Sequence, residues 1–275
     1  MRRAVRAAAV ALATTLAVAG CGGDGGDGSS DGGPGGASTT AAEVEELDIL
    51  VTNDDGIEAE GLDILVEALD GVGGVSVTVV APADQRSGTG GSTVEGDATH
   101  HDAATAGGHE AVAVEGYPTD AVTVALGELG HEPDLVVSGI NDTQNLGPFI
   151  DLSGTIGAAR AAARAGIPAL AVSQGLAEEP DFDAAVELVL AWLDRHRADL
   201  AAGELDADVV HSLNVPTCPT GTPRGTVEVA PAAEGDAFAE PDCTSTAEDF
   251  THDIPAFVNG YATWSELPLE PAPEG

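Results

Sequence analysis

The sequence has no lysine, and arginine supplies all nine of its basic side chains against 47 acidic ones. Three of these, Arg2, Arg3 and Arg6, precede residue 21, so the chain from Cys21 onward has six basic and 47 acidic residues, a net charge of −41. Such a charge excludes binding to nucleic-acid polymers through their phosphate backbone. It also disfavours anionic substrates unless a metal ion inverts the local field.

Long apolar runs are absent after the first 20 residues, so no later segment is long enough to span a bilayer. The first residues combine the three arginines with an apolar run over 7–18 and the ending Val18-Ala19-Gly20-Cys21. This pattern predicts a secretory signal peptide over residues 1–20, and its ending resembles the lipobox of bacterial lipoproteins, in which the cysteine is lipidated. A transmembrane anchor is the alternative, and the short, Ala-rich run disfavours it.

Residues 21–46 are dominated by Gly, Ser and Asp and are too polar to bury a core. We therefore expect a disordered tether that links a lipidated Cys21 to a folded domain at residues 47–270. The expected location is extracytoplasmic, at a membrane surface.

Cysteine is scarce: apart from Cys21, only Cys218 and Cys243 are present. An even pair in an oxidising compartment predicts a disulfide. It would close a 26-residue segment, which the chain-entropy account values at roughly 3–4 kcal/mol. Two buried free thiols are the alternative.

Strand and helix patterns alternate from residue 47 onward, which is typical of an α/β protein with a parallel sheet. We predict a Rossmann-like, doubly wound, mostly parallel sheet. A weaker pattern after Thr217 predicts a C-terminal extension that packs on the main sheet or is exchanged with a second copy as a swapped hairpin region. The predicted strands are 47–52, 75–81, 110–115, 135–138, 167–173, 209–215, 226–229 and 261–264, and the predicted helices are 62–69, 118–126, 153–165 and 182–197.

The first predicted strand ends abruptly in Asn53-Asp54-Asp55-Gly56. Open α/β sheets place their chemistry at the carboxyl ends of their strands. Two adjacent carboxylates repel each other, and a fold that keeps both ionised usually supplies a cation. The alternative is a simple turn, since Asn, Asp and Gly dominate turns.

Oxygen-bearing side chains also follow two other predicted strands, at Ser87 and Asn141. Because strand ends converge on a doubly wound sheet, Asp54, Asp55, Ser87 and Asn141 are expected to surround one hard divalent metal, Mg²⁺ or Mn²⁺. Ser153-Gly154-Thr155 opens a predicted helix, whose free N–H groups suit a phosphate.

These segments resemble the SurE family of metal-dependent nucleotidases. The resemblance is strong over residues 47–175, and Asn214-Val215-Pro216 and Gly260-Tyr261 continue it more weakly. Its motifs are Ile49 to Gly56, Val80-Ala81-Pro82 with Arg86-Ser87-Gly88, Gly116 with Pro118-Thr119-Asp120, Val136 to Asn141, Asn145-Leu146-Gly147 and Ser153-Gly154-Thr155.

The resemblance implies that Asp54, Asp55, Ser87 and Asn141 hold one metal ion per subunit, Mg²⁺ or Mn²⁺. It implies that Asn53 and residues 153–155 contact the phosphate of a nucleoside monophosphate, which metal-activated water attacks at phosphorus. Asp54, Asp55 and Asn53 are then the catalytic residues. We also expect a homodimer or homotetramer.

Three residues depart from the family pattern: Thr143 replaces a usual glycine, Tyr117 a small hydroxyl residue and Ala121 a frequent cysteine. If position 143 has a positive φ, the threonine would strain its turn. Ser87 as a protein nucleophile is a weaker alternative mechanism, because no His or Lys base stands at a telling spacing.

A non-catalytic solute-binding or adhesion lipoprotein is the alternative function. Two further features stay open at this point. His100-His101-Asp102 is either a transition-metal site or a solvated hairpin. Trp192 fits a helix core, whereas Tyr261 and Trp264 either line a base-stacking edge or pack the extension.

Overall fold

A computed structural model describes residues 45–271 of the protein. The predicted signal peptide, the lipidated Cys21 and the tether up to residue 44 lie outside the described residues. Within residues 45–271, no helix combines the length and apolar character that crossing a membrane requires.

The fold is an α/β sheet of nine strands in the order β3-β4-β2-β1-β5-β6-β7-β9-β8. Strands β4, β2, β1, β5, β6 and β7 run parallel, and β3 and β9 run antiparallel to their neighbours β4 and β7. The strands are β1 Leu47–Thr52, β2 Val75–Pro82, β3 His100–Ala104, β4 Glu110–Val114, β5 Leu135–Asn141, β6 Ala169–Gln174, β7 Val209–Val215, β8 Thr226–Glu228 and β9 Ala262–Pro268. This confirms the predicted α/β, mostly parallel sheet.

Helices cover both faces of the sheet and bury two apolar clusters. Helices α1 and α4 pack on one face, where Leu62, Leu65 and Leu69 recur at helical spacing and are fully buried. Helices α2 and α3 cover the other face. The helices are α1 Glu60–Asp70, α2 Pro118–Leu126, α3 Gly154–Arg164, α4 Phe182–Ala202 and α5 Asp253–Val258, and a 3-10 helix spans Gly147–Leu152.

Several element bounds differ from those predicted. Strand β5 continues to Asn141, because Asn141 pairs with Ser173 of β6 beyond a register shift. Strand β6 begins at Ala169 and ends at Gln174, and α4 runs to Ala202, where Gly203 caps it at φ 66°. The 3-10 helix and α5 were not among the predicted elements.

The C-terminal extension packs on the sheet of its own chain. Strand β9 pairs antiparallel with β7 from Val209↔Pro268 to Asn214↔Thr263, and β8 adds parallel to β9. A third apolar cluster, which includes Leu146, Ile254 and Phe257, holds the extension against the loop after β5. The structure also joins Cys218 to Cys243 by a disulfide, with the two Cα atoms 5.8 Å apart.

The histidine pair lies on a solvated hairpin. His100, His101 and Asp102 of β3 are exposed, and the two imidazoles lie 3.4 Å from Glu128 and 3.9 Å from Glu115. Within residues 45–271, no group of three or more His, Cys, Asp or Glu side chains is arranged to hold a metal. The hairpin interpretation is therefore the one that matches the structure.

Candidate active site

The turn after β1 is built by Asn53. Its amide Nδ2 donates to the Gly56 carbonyl over 2.9 Å, and the Gly56 N–H donates to Asn53 Oδ1 over 3.2 Å. Gly56 has φ +101°, and a Cβ there would lie 3.1 Å from the backbone of Asp84. Only glycine suits this position, so the turn brings the loop after β2 against the end of β1.

Asp54 joins three elements at the carboxyl edge of the sheet. Its side chain is 2% exposed, and Oδ1 accepts a 2.6 Å hydrogen bond from the Thr155 hydroxyl at the start of α3. Its carbonyl accepts the Arg86 N–H over 2.7 Å, which ties in the loop after β2. Burial raises the pKa of the Asp54 carboxyl, and the Thr155 hydrogen bond opposes that shift.

Asp55 is the less buried carboxylate of the pair. Burial, followed by the charges of Asp54 and Asp142, raises the pKa of Asp55 to about 7. Its Oδ2 accepts the Asp142 N–H over 3.2 Å, whereas its Oδ1 is buried without a hydrogen-bond partner in the described structure. Within residues 45–271, no Arg or His forms an ion pair with Asp54, Asp55 or Asp142.

Asn141, the last residue of β5, is buried next to these carboxylates, since the following N–H, of Asp142, donates to Asp55. Asn141 Nδ2 donates to the Thr143 carbonyl, which leaves the amide oxygen without a hydrogen bond among the described residues. Thr143 does not have a positive φ, because the one non-glycine residue with a positive φ in residues 45–271 is Asp249. The replacement of the usual glycine by Thr143 therefore does not strain this turn.

Ser87 lies on the exposed loop after β2. The Arg86 N–H that bonds to the Asp54 carbonyl fixes the loop one residue away from Ser87. The loop also rests on the end of the 3-10 helix, where the Gly90 N–H donates to the Leu152 carbonyl over 2.9 Å. A Cβ on Gly157 of α3 would lie 2.1 Å from the Gly90 carbonyl, so the close approach depends on that glycine.

The first turn of α3 presents its N–H groups beside Asp54, and that of Thr155 reaches the Asp54 carboxylate. Ser153 is the N-cap, and its hydroxyl accepts from the Ile156 N–H over 3.2 Å. A Cβ on Gly154 would lie 2.7 Å from the Asp54 Cβ, so glycine lets the carboxylate reach the helix start. The structure thus brings Asp54 and residues 153–155 together.

Asn145, for which no role was predicted, belongs to the same network. Its Nδ2 donates to Ser173 Oγ over 2.8 Å and to Thr155 Oγ1 over 3.5 Å, and its N–H donates to Asn214 Oδ1 over 2.7 Å. Ser173 and Asn214 lie near the carboxyl ends of β6 and β7. Asn141 was predicted because it is a polar residue at the end of a strand. The same criterion would have identified Ser173 and Asn214.

The donor set fits a hard divalent cation. Asp54, Asp55 and Asn141 offer carboxylate and amide oxygens at adjoining strand ends, and one of these oxygens, Asp55 Oδ1, is buried without a partner. The local charge is negative, since Asp142 adds to the field at both carboxylates. A cation would satisfy this oxygen and offset the repulsion between the acids.

Comparison with known proteins agrees with the geometry. The model of the family described as "Survival protein SurE" matches residues 49–236. The chain is similar to a 5'-nucleotidase SurE of Halobacterium salinarum, with 49% identity over 139 residues that cover 50% of each chain. It is 40% identical to that of Methanopyrus kandleri over 172 residues, covering 58% of this chain and 65% of the relative.

A third relative, the 5'-nucleotidase SurE of Brevibacillus brevis, is 37% identical over 185 residues, which cover 65% of this chain and 70% of the relative. The chain thus matches 50–70% of the length of these relatives. The crystal structure of the SurE protein from Aquifex aeolicus superposes with a TM-score of 0.66 at 25% identity, covering 82% of this chain and 95% of that one. Since the family match spans more than half of the sequence and the fold agrees, the chain belongs to the SurE family.

Proposed function

We propose that this chain is a phosphomonoester hydrolase that acts on nucleoside monophosphates. The observation that carries the proposal is the contact between Asp54 and Thr155, which joins an acidic strand end to the N-terminus of a helix. A helix N-terminus binds phosphate through its free N–H groups. The relatives in Halobacterium, Methanopyrus and Brevibacillus bear the name 5'-nucleotidase SurE, which supports the same substrate class.

The proposed cofactor is one Mg²⁺ or Mn²⁺ per subunit, held by Asp54, Asp55, Ser87 and Asn141. When bound, such an ion supplies Lewis-acid chemistry, lowering the pKa of water and offsetting negative charge on phosphoryl oxygens. The orphaned Asp55 Oδ1 and the raised pKa values of both acids support this assignment. No protein nucleophile is needed in this scheme.

The protein's own groups orient the substrate. The Thr155 hydroxyl fixes the rotamer of Asp54, and Ser153 caps α3 through the Ile156 N–H, so that the Gly154 N–H is left at the helix start for a phosphate. Asn145 holds Thr155 from the other side through Nδ2. Asn53 shapes the turn, and the second hydrogen of its Nδ2 amide is available to donate to the substrate.

Apolar side chains at the same edge suit the nucleoside part of the substrate. Leu152, Leu176 and Phe238 are the exposed large apolar residues of the described chain, at 55%, 58% and 48% exposure. The buried Gln144 draws two of their segments together: its Nε2 donates to the Ala237 carbonyl over 2.7 Å, and its Oε1 accepts the Leu176 N–H over 2.8 Å.

Leu152 immediately precedes Ser153, and Phe238 packs edge-on against Phe149 of the 3-10 helix at 4.7 Å. Leu152 and Phe238 thus lie on or against the 3-10 helix that leads into the proposed phosphate-binding turn. A flat base is the part of a nucleotide that gains most from such apolar contacts. A non-catalytic solute-binding role explains neither the acidic pair nor its contact with α3.

Phosphate release tests the activity. We expect the full chain to hydrolyse a nucleoside 5'-monophosphate with Mg²⁺ or Mn²⁺, to stop when a chelator is added, and to resume when the metal is restored. The Asp54→Asn variant should lose several orders of magnitude in kcat while keeping its far-UV circular dichroism. Hydrolysis that persists in chelator, or an Asp54→Asn variant as active as the parent, would overturn the proposal.

We further propose that the chain is secreted and anchored through a lipid on Cys21. The disulfide between Cys218 and Cys243 supports an oxidising compartment. Labelling with a radioactive fatty acid in a bacterial host should mark the parent and leave the Cys21→Ser variant unlabelled; equal labelling would contradict the assignment. A homodimer or homotetramer stays a prediction, which sedimentation equilibrium would test.

A further inference from the structure

A cavity of about 370 Å³ lies between α4 and strands β8 and β9, away from the acidic edge of the sheet. Its lining includes Leu188, Trp192, Arg195, Val227, Glu228 and Trp264, none of which belongs to the acidic edge. The volume falls within the range of small-molecule sites, about 300–1,000 Å³.

Both tryptophans of the chain line this cavity. The rings of Trp192 and Trp264 are nearly parallel, at 18°, with centroids 6.4 Å apart. Trp192 is buried, with the rings of His196 and His211 at centroid distances of 4.6 and 5.3 Å, and it backs the half-buried Trp264, whose ring is the indole wall of the cavity. Such a wall favours stacking by flat rings.

Two exposed side chains of opposite charge line the cavity. Arg195 comes from α4 and Glu228 from the edge strand β8, where Glu228 pairs with Trp264 and therefore projects on the same face of the sheet. Within residues 45–271, neither Arg195 nor Glu228 forms a hydrogen bond or an ion pair. The Arg195 guanidinium thus offers hydrogen-bond donors, and the Glu228 carboxylate offers hydrogen-bond acceptors, to a bound molecule.

We propose that this cavity binds a flat heteroaromatic molecule of the purine nucleoside class. The ring stacks on the indole wall, an amino group donates to the Glu228 carboxylate, and a ring carbonyl accepts from the Arg195 guanidinium. The occupant is a neutral nucleoside rather than a nucleotide, because the chain carries a net charge of −38 and Glu228 stands at the site. The inference is independent of the proposed phosphatase activity.

Tryptophan fluorescence reports this cavity directly, because Trp192 and Trp264 are the two tryptophans of the chain. The full chain is titrated with guanosine, which carries both a ring carbonyl and an exocyclic amino group, with chelator present. We expect a saturable change in emission. Removing either charge, in Glu228→Gln or Arg195→Gln, should weaken binding about tenfold or more, because each variant loses a hydrogen bond to a charged group.

Glu187→Gln is the matched control, since Glu187 is exposed on the same helix and does not line the cavity. It should bind guanosine as the parent does, and ribose 5-phosphate should leave the emission unchanged. Three results would overturn the proposal. They are an emission change that does not saturate, an affinity for guanosine in Glu228→Gln and Arg195→Gln equal to that of the parent, and an emission that varies with protein concentration but not with guanosine. Asp54→Asn should retain the response, which separates this outcome from failure of the hydrolase proposal.

Discussion

The hydroxyl of Thr155 donates to Oδ1 of Asp54 over 2.6 Å, although 101 positions separate the two residues in the sequence. This bond fixes a buried carboxylate at the end of β1 against the first turn of α3. It aligns the two parts that the proposed chemistry requires, a group of oxygen donors for a cation and a set of N–H donors for a phosphate.

Replacing Thr155 with valine keeps the shape of the side chain and removes the hydroxyl. A hydrogen bond to a charged group is worth about 1.5–3 kcal/mol, so we expect kcat to fall about ten- to one-hundredfold. Thr155→Ser should recover most of the loss, because it restores the donor. Steady-state kinetics on both variants, with thermal melts to establish folding, checks this; a Thr155→Val enzyme with the parent's kcat would show that the bond has no positioning role.

Truncating Phe238 should raise KM for nucleotides and leave KM for small phosphate esters unchanged. Its ring is half-exposed and packs against Phe149, so truncation removes apolar contact with a base and leaves the acidic pair untouched. We expect Phe238→Ala to raise KM for a nucleoside monophosphate about tenfold, in line with the loss of one stacking contact. KM for glycerol phosphate should not change, and a parallel rise for both substrates would place the ring outside the base subsite.

Protonation of His211 should destabilise the fold as the pH drops through the histidine range, whereas protonation of Asp55, whose pKa is raised to about 7, should act in the opposite direction. Burial lowers the pKa of His211, with Glu266 and Asp206 opposing the shift and His196 adding to it. The unfolded chain therefore binds a proton at His211 at a higher pH than the folded chain does, so this contribution is complete above about pH 6.5 and is lost as the pH falls below it.

Urea unfolding between about pH 8 and pH 5 measures this dependence. As the pH falls, the unfolding free energy of His211→Leu should rise relative to that of the parent, because the variant lacks this unfavourable protonation. Because Asp55 titrates over the same range with the opposite sign, the comparison between the two proteins is the test: the same pH slope in the parent and in His211→Leu would contradict the assignment.

The disulfide should contribute measurably to stability. Cys218 and Cys243 close a loop within the extension, where regular structure is sparse. Cys218→Ser with Cys243→Ser should lower the unfolding free energy by roughly 3–4 kcal/mol, and reductant should lower that of the parent similarly. Mass spectrometry without reduction should show the linked peptides; two alkylatable thiols in the folded protein would rule out the bond.

The strands and helices with strong patterns could be predicted from sequence, and their arrangement could not. Strand β7 and helix α2 have the predicted bounds because an apolar run closed by Pro216, and Pro118 at a helix start, are local signals. The ending Gly139-Ile140-Asn141 looks like a loop but is strand, because pairing between Asn141 and Ser173 stabilises it. Such pairing partners are set by tertiary structure.

The candidate site shows the same division. Asp54, Asp55 and Asn141 were predictable because each follows an apolar strand, and the structure places them at one edge. The contributions of Asp142 to the field and of Asn145 to the network depend on loop conformation, which no local pattern specifies. Helix α5 was missed because six residues carry too little periodicity, and contacts of Phe257 with Leu146 and Ile254 stabilise it instead.

Manganese binding measured by calorimetry tests most directly whether oxygens from separate strand ends share one divalent ion. The parent should bind one Mn²⁺ per chain. Each of the variants Asp54→Asn, Asp55→Asn and Asn141→Ala should bind the ion at least about tenfold more weakly. The control variant Asp48→Asn, at the other end of β1, should bind it as tightly as the parent does. If Asn141→Ala and Asp54→Asn kept the parent's affinity, the two strand ends would not share a cation, and the proposed centre would be contradicted.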